Sequence, residues 1–315
     1  MEHQGDGTTS AIVNFAPDDD IILVVGPEMK RFRVHSLFLK VASKPFYAMF
    51  KWEWQEGQDL LHRDGPKEIE LPADNAAALE TILAIIHHQH NEIARSITAS
   101  QVLEVAIVAD KYDFLGAVKF ASEVLLRIGA KDPSDQMRLV AAAYLFRDTR
   151  AFKEITKALV LNYHGSYLDL ACDEVESAMS WRVFCLLEAQ RSYARSEFCQ
   201  VLLEEMDSGK CDHGCDFTYR YTYPYLKSLE KYKIWPKKLH DVSLSKAINL
   251  VESMPDPIHE TASGRCCHSN FHTPSWPYKA GPVRQLKFLC EKFGLCLTCV
   301  RDGATATVGC DHEDD

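Results

Sequence analysis

"RFRVHSLFLKVASKPFYAMF" runs from Arg31 to Phe50. It opens in strict alternation, with Phe32 and Val34 on one side and Arg31 and Arg33 on the other, the period of a half-buried strand. After His35 the spacing turns helical. Ser36 can cap a helix carrying Leu37, Leu39 and Val41. Ser43 can cap a second, with Pro45 in its first turn, where a missing N–H costs little. Phe46, Met49 and Phe50 then fall at i, i+3 and i+4, one apolar stripe. A histidine at a strand end, followed by apolar helices, offers neither nucleophile nor metal partner. His35 and Ser43 therefore read as structural, holding a helix cap and a tight corner.

Upstream, "DIILVV" (Asp20–Val25) is a short apolar β-branched run, and "GPEMK" supplies a turn, so the three pieces predict a hairpin. Residues 1–17 are polar and aperiodic, as in a frayed tail. Downstream, "KEIEL" (Lys67–Leu71) reads as a third strand. Asp74 can cap a helix whose Leu79, Ile82, Leu83 and Ile86 share one face. Thr98-Ala99-Ser100-Gln101 has capping-box spacing, opening a helix with Val102, Val105, Ala106 and Ala109 inward. A further helix runs from about Leu115 to Ile128. The order β-β-α-α-β-α-α-α predicts an α+β fold, a small sheet edged by a helical cluster.

These residues resemble a BTB/POZ domain over about residues 18–129. Asp20 opens the first strand, Val34-His35 ends the next, Leu39 and Ser43 follow at four-residue steps, and Phe46, Met49 and Phe50 form the "F-x-x-M-F" turn of helix. One departure is "HHQHNEI", where many relatives carry a Tyr-rich helix end. The resemblance implies a protein–protein interaction module, frequently a homodimer. It also implies a possible role as substrate adaptor for a cullin-type E3 ubiquitin ligase. In cullin-binding members an apolar-x-Glu triplet follows the "M-F" helix, and Trp54-Gln55-Glu56 stands in that register. An aromatic anchor beside a carboxylate suits a partner-binding hot spot. The competing reading has Trp52 and Trp54 covering the core edge, with Glu56 solvated.

Beyond this unit, residues 130–208 read as a helical extension. Met137, Val140, Ala141 and Tyr144 make one stripe, Phe152, Ile155 and Leu159 another, and Ser180–Met206 a long helix. Cys172, Cys185 and Cys199 lie among apolar residues without ligand spacing and read as buried and inert. All 11 cysteines lie between Cys172 and Cys310. With no secretion signal, an intracellular, reducing compartment is expected, where Cys beside His suggests metal ligands before disulfides.

Residues 209–315 form the Cys/His-rich region. The candidate ligands are Cys211, His213 and Cys215; Cys266, Cys267, His268 and His272; and Cys296 and Cys299. Pairs at this spacing can turn around one tetrahedral ion, predicting one or two structural Zn2+ that staple the segment. Cys310 and His312, in an acidic tail, are weaker candidates. This ending, closing at Gly294-Leu295-Cys296-Leu297-Thr298-Cys299, is similar to that of BTB proteins common in filamentous fungi.

The net charge of −10 argues against a nucleic-acid-coating surface. "YRYTYPYLKSLEKYKIWPKK" (Tyr219–Lys238) mixes aromatics with lysines, and it also fits a helix with Tyr225, Leu226 and Leu229 inside and Lys227 and Lys231 outside. No apolar run approaches the roughly 18–20 residues needed to span a bilayer. A BTB-containing transcriptional or chromatin regulator is the alternative to an adaptor, although the tail lacks the Cys-x-x-Cys, about twelve residues, His-x-x-x-His spacing of a finger. No metalloprotease, deaminase, P-loop or nucleophile-elbow motif occurs, so the expectation is an interaction protein and no enzyme.

Overall fold

The computed structural model describes residues 11–15, 20–51, 66–89, 97–127, 129–207, 217–234, 239–255, 280–303 and 312. Contacts divide the chain into two units, Met1–Ala151 with Asp173–Met179, and Phe152–Cys172 with Ser180–Asp315.

The first unit holds one four-stranded sheet: β1 (Val13–Asn14), β2 (Ile21–Val25), β3 (Lys30–Val34) and β4 (Lys67–Leu71), in the order β1-β3-β2-β4. β2 and β3 form the expected antiparallel hairpin, with Ile21 opposite Val34 and Val25 opposite Lys30. β4 lies parallel to β2 on its other side. Flanked on both edges, β2 buries all five residues, which explains its unbroken apolar run. Gly26 leaves β2 at φ 74°, and a Cβ there would stand 3.2 Å from the Asp74 carbonyl oxygen. β1, within the stretch expected to be frayed, pairs parallel with β3.

Two short helices follow, α1 (Ser36–Ala42) and α2 (Lys44–Met49). The cap of α1 is His35, whose Nδ1 accepts from the Leu37 N–H at 3.1 Å. Ser36, expected to cap it, instead donates its N–H and its hydroxyl to the two Asp20 carboxylate oxygens, at 2.7 and 2.6 Å. Ser43 caps α2 as predicted, accepting from the Phe46 N–H and donating to the Tyr112 carbonyl at 2.6 Å. His35 and Ser43 are thus structural.

The helical layer continues with α3 (Ala76–Ile86), α4 (Ala99–Lys111), α5 (Leu115–Leu125) and α6 (Pro133–Phe146). Asn75 caps α3, not Asp74. Asp74 is buried and takes the Tyr112 hydroxyl and the Lys111 ammonium, at 2.6 and 2.5 Å. Burial, followed by the hydrogen bond to Asp74, pushes the Tyr112 phenol well above the usual tyrosine value. Thr98 and Gln101 close the predicted capping box, with Gln101 Oε1 accepting from the Thr98 N–H at 2.9 Å. Val102, Val105, Ala106 and Ala109 are buried as their spacing predicts. α6, from the expected helical extension, packs on α4 within this unit. The α+β architecture is as read from the sequence.

The second unit contains most of α7 (Thr149–Asn162), while α8 (Asp173–Ala178) belongs to the first. It continues with α9 (Arg182–Asp207), α10 (Phe217–Lys231), α11 (Leu244–Ser253), α12 (Ala280–Cys290) and α13 (Leu297–Arg301). α12 packs on α9 and α11. In α10, Tyr225 and Leu229 are buried as predicted, but Leu226 faces solvent. Arg191 is buried. Its guanidinium lies 4.5 Å from the Tyr167 ring centroid and donates to the Gly165 carbonyl and, at 2.6 Å, to both Glu188 oxygens. Cys185 is exposed, and Cys172 and Cys199 are half-buried, so the expected burial of all three is corrected. Cys185 and Cys199 lie on α9, where the large residues Phe184, Leu187 and Phe198 fill the inward positions, and Cys172 lies just before α8, outside any helix. Among the described residues no helix is long and apolar enough to cross a membrane.

Candidate functional site

Each unit offers one arrangement of interest. In the first, α1 stands with its apolar side outward. Ser36, Leu39 and Ser43 form its inward line, while Leu37 is exposed and Val41 is 82% exposed. The apolar residues of this helix thus divide, Leu39 facing the core and Leu37 and Val41 facing solvent. Two buried serines hold the inner line through Asp20 and the Tyr112 carbonyl, leaving the larger side chains to the surface.

α5 shows the same feature. Val118, Ser122 and Leu125 are buried, yet Phe120 is 84% exposed and Val124 accompanies it one turn on. A helix apolar on two faces is unusual for a monomer surface. Between α1, α2 and the start of α5 lies a groove of about 780 Å³, lined by Phe38, Val41, Tyr47, Ile86, His88 and Ala117. Lys44 at its edge pairs with Asp113 at 3.0 Å. Apolar walls with a charged rim suit a protein partner better than a small polar substrate.

Trp54 and Glu56 lie outside the described residues. So do Cys211, His213, Cys215, Cys266, Cys267, His268 and His272.

The second arrangement is in the second unit, where Cys296 and Cys299 meet His312. The ligand atoms of the three all lie within 4.8 Å of one another. His312 Nδ1 is 3.6 Å from the Cys296 sulfur and 3.3 Å from that of Cys299. Cys296 is the N-cap of α13 and Cys299 its third residue, the spacing at which Thr98 and Gln101 reach each other in α4. The turn before them is held by α7. A Cβ on Gly294 would stand 2.5 Å from the Lys153 carbonyl oxygen, so only glycine fits. The Leu295 N–H donates to the buried Thr156 hydroxyl at 2.9 Å, and Leu295, Leu297 and Val300 are buried around it.

Two thiols and an imidazole suit a thiophilic, tetrahedral metal ion. With metal–sulfur and metal–nitrogen bonds of about 2.3 and 2.0 Å, tetrahedral angles put sulfur and nitrogen about 3.5 Å apart. The two observed separations bracket that figure. Cys296, Cys299 and His312 are a group that could hold a metal ion.

His312 was not among the primary candidates. The signal that reaches it is an interval: residues 300–311 separate Cys299 from His312, the gap that follows the Cys pair in a zinc finger.

The first unit thus pairs a small sheet and helical cluster with an outward apolar groove. The sequence model of the BTB/POZ domain matches residues 18–128, so the chain carries a BTB/POZ domain there, a class of protein–protein interaction module. No curated protein matches the chain.

Proposed function

We propose that the chain is a non-enzymatic interaction scaffold whose BTB head associates with a second copy of itself through the α1–α2–α5 surface. The observation that carries this is the outward apolar side of α1, with Val41 82% exposed beside the groove. The self-association common to BTB domains supports a second copy as the occupant. Full burial of a Val or Phe side chain is worth about 1.5–3 kcal/mol, so Val41→Asp or Phe120→Asp is expected to weaken the dimer at least tenfold. Sedimentation of the wild type and the two variants tests this. A wild-type chain that stays monomeric at high concentration, or variants that dimerise unchanged with the same circular dichroism, would sink the reading.

In its sharper form the scaffold is a cullin ubiquitin-ligase adaptor, supported by Trp54-Gln55-Glu56 in the family's register. Pull-down of a cullin by the wild type, lost in Trp54→Ala and Glu56→Ala, is the expected result; recovery of none removes this form. The transcriptional-regulator alternative predicts salt-dependent DNA binding, which the net charge of −10 disfavours.

The working division is a head at 18–129, a helical platform at 130–208 and a zinc-stapled segment at 209–315, acting in the nucleus or cytoplasm. This fits the likeness of the ending to that of filamentous-fungal BTB proteins. Zinc at one or two structural sites is supported by the sulfur–nitrogen separations at Cys296, Cys299 and His312. The remaining seven candidates supply the other ligands.

A further inference from the structure

His87, the first residue of "HHQHNEI", follows α3 and is 8% exposed, with both ring nitrogens committed. Its Nδ1 lies 2.8 Å from the Leu83 carbonyl oxygen, which can only accept, so Nδ1 carries the proton. Its Nε2 accepts the His35 backbone N–H at 3.3 Å, so that nitrogen is unprotonated. His35 is the residue whose side chain caps α1, and the bond therefore ties the end of α3 to the start of α1. The His87 ring packs against Phe15 and Phe38, at centroid distances of 5.4 and 4.9 Å. Phe38 in turn lines the groove with Val41 and Tyr47.

Resting on the self-association reading above, we propose that His87 is a proton-sensitive prop for the α1 face: its neutral ring holds α1 in place for association, and protonation at Nε2 weakens association. A proton on Nε2 turns the acceptor into a donor that faces the His35 N–H, so the bond is lost and two donors oppose each other. It also places a cation in a buried site, a cost that attraction to the two rings offsets only in part. Among the described residues, the titratable groups facing this junction are His35 at the end of β3, His88 after α3 and Asp20 ahead of β2. Asp20 is the carboxylate of the three, and the Ser36 N–H and hydroxyl already occupy its two oxygens. Relief comes by moving the start of α1 and Phe38 away from the ring, which reshapes the groove wall that a second copy meets. The bond needs the neutral ring. It is therefore fully present above histidine's ordinary value of about 6.5 and is lost as pH falls below it.

Sedimentation equilibrium of the full chain at about pH 7.5 and about pH 5.5, on either side of the histidine range, tests this. The dissociation constant of the wild-type dimer is expected to rise by about 10- to 100-fold at the lower pH, since each of the two copies takes up a proton. His87→Gln puts a carboxamide oxygen, which does not titrate, in place of Nε2, and its dissociation constant should change by less than about threefold. His87→Phe keeps a ring but removes the acceptor, and it should associate at the higher pH as weakly as the wild type does at the lower. His88→Asn should keep the wild-type decline, because the His35 N–H is bonded to His87. Far-ultraviolet circular dichroism of all four proteins should be the same at both pH values. A wild-type dimer equally tight at both, a decline in His87→Gln equal to that of the wild type, or loss of wild-type helix signal at the lower pH would overturn the prop and leave self-association standing. A wild-type chain that is monomeric at both pH values removes both.

Discussion

Gly294→Ala tests how the Cys296–Cys299 turn is held. The added Cβ would meet the Lys153 carbonyl oxygen at 2.5 Å and its Cγ at 2.6 Å. Ordinary contact needs about 3.4 Å against a backbone atom that cannot rotate away, so the turn must retreat by about 0.9 Å or α7 must bend. A retreat of that size stretches the 2.9 Å bond from the Leu295 N–H to Thr156 beyond useful length. Overpacking costs about 1–3 kcal/mol, and a buried amide left without its partner costs about as much again. Since part of each is relieved by the same movement, the net is about 2–4 kcal/mol. At roughly 2–4 °C per kcal/mol for a unit of this size, the melting temperature should fall by about 4–16 °C. Gly116→Ala is the control: nothing lies within 4 Å of its Cβ position in α5, and removing a helix glycine should be neutral or stabilise by up to about 1 kcal/mol. Urea and thermal melts of both variants read the difference. Equal stability of Gly294→Ala and the wild type would refute the claim that α7 fixes the turn.

Thr98→Ala removes one half of the capping box of α4 and should cost about 1 kcal/mol by urea denaturation. Arg191→Lys keeps the charge but cannot stack on Tyr167 while bonding both Gly165 and Glu188, so about 2 kcal/mol of stability should be lost in thermal melts. The Tyr167 phenol is raised mainly by burial, so the folded state holds its proton more tightly than the unfolded state. Its contribution is full below the ordinary tyrosine value of about 10 and declines as pH rises through the folded one, by up to about 1.4 kcal/mol per pH unit. Tyr167→Phe should flatten stability against pH above 10 in alkaline urea titrations; an unchanged slope would show that the phenol titrates freely.

The parts of this fold legible in the sequence are those where polar and apolar residues obey the usual division. β2 and β3, the α4 capping box and the Ser43 cap follow from alternation and cap chemistry. In α1 the cap falls on His35 and not on Ser36, because Ser36 joins Leu39 and Ser43 on an inward line whose two hydroxyls have partners distant in sequence. Leu37 and Val41 lie one turn apart with Leu39 on the opposite side, and no local pattern shows that Asp20 and Tyr112 will satisfy the serines. Asp74 failed as a cap for the same reason, since Lys111 and Tyr112 claim it from 37 and 38 residues away. In the second unit, Cys296 and Cys299 were legible from their own spacing, whereas His312 depends on how the chain returns.

The outward faces bear on the proposed association. A fold that spends buried hydrogen bonds to turn a short helix inside out keeps Val41 and Leu37 on the surface at a cost in solubility. α5 repeats the arrangement with Phe120 and Val124 outward and a serine, Ser122, facing in with its hydroxyl on the Lys119 carbonyl. Replacing Ser36 or Ser122 by Ala should therefore leave association intact while lowering the stability of the head, and replacing Val41 or Phe120 should do the reverse. Crossed results, with the surface changes unfolding the head and the serine changes abolishing association, would mean that the outward faces serve the core after all. The two sets of residues separate along the helical period, so the core contacts and the exposed apolar residues lie on opposite sides of the same helices.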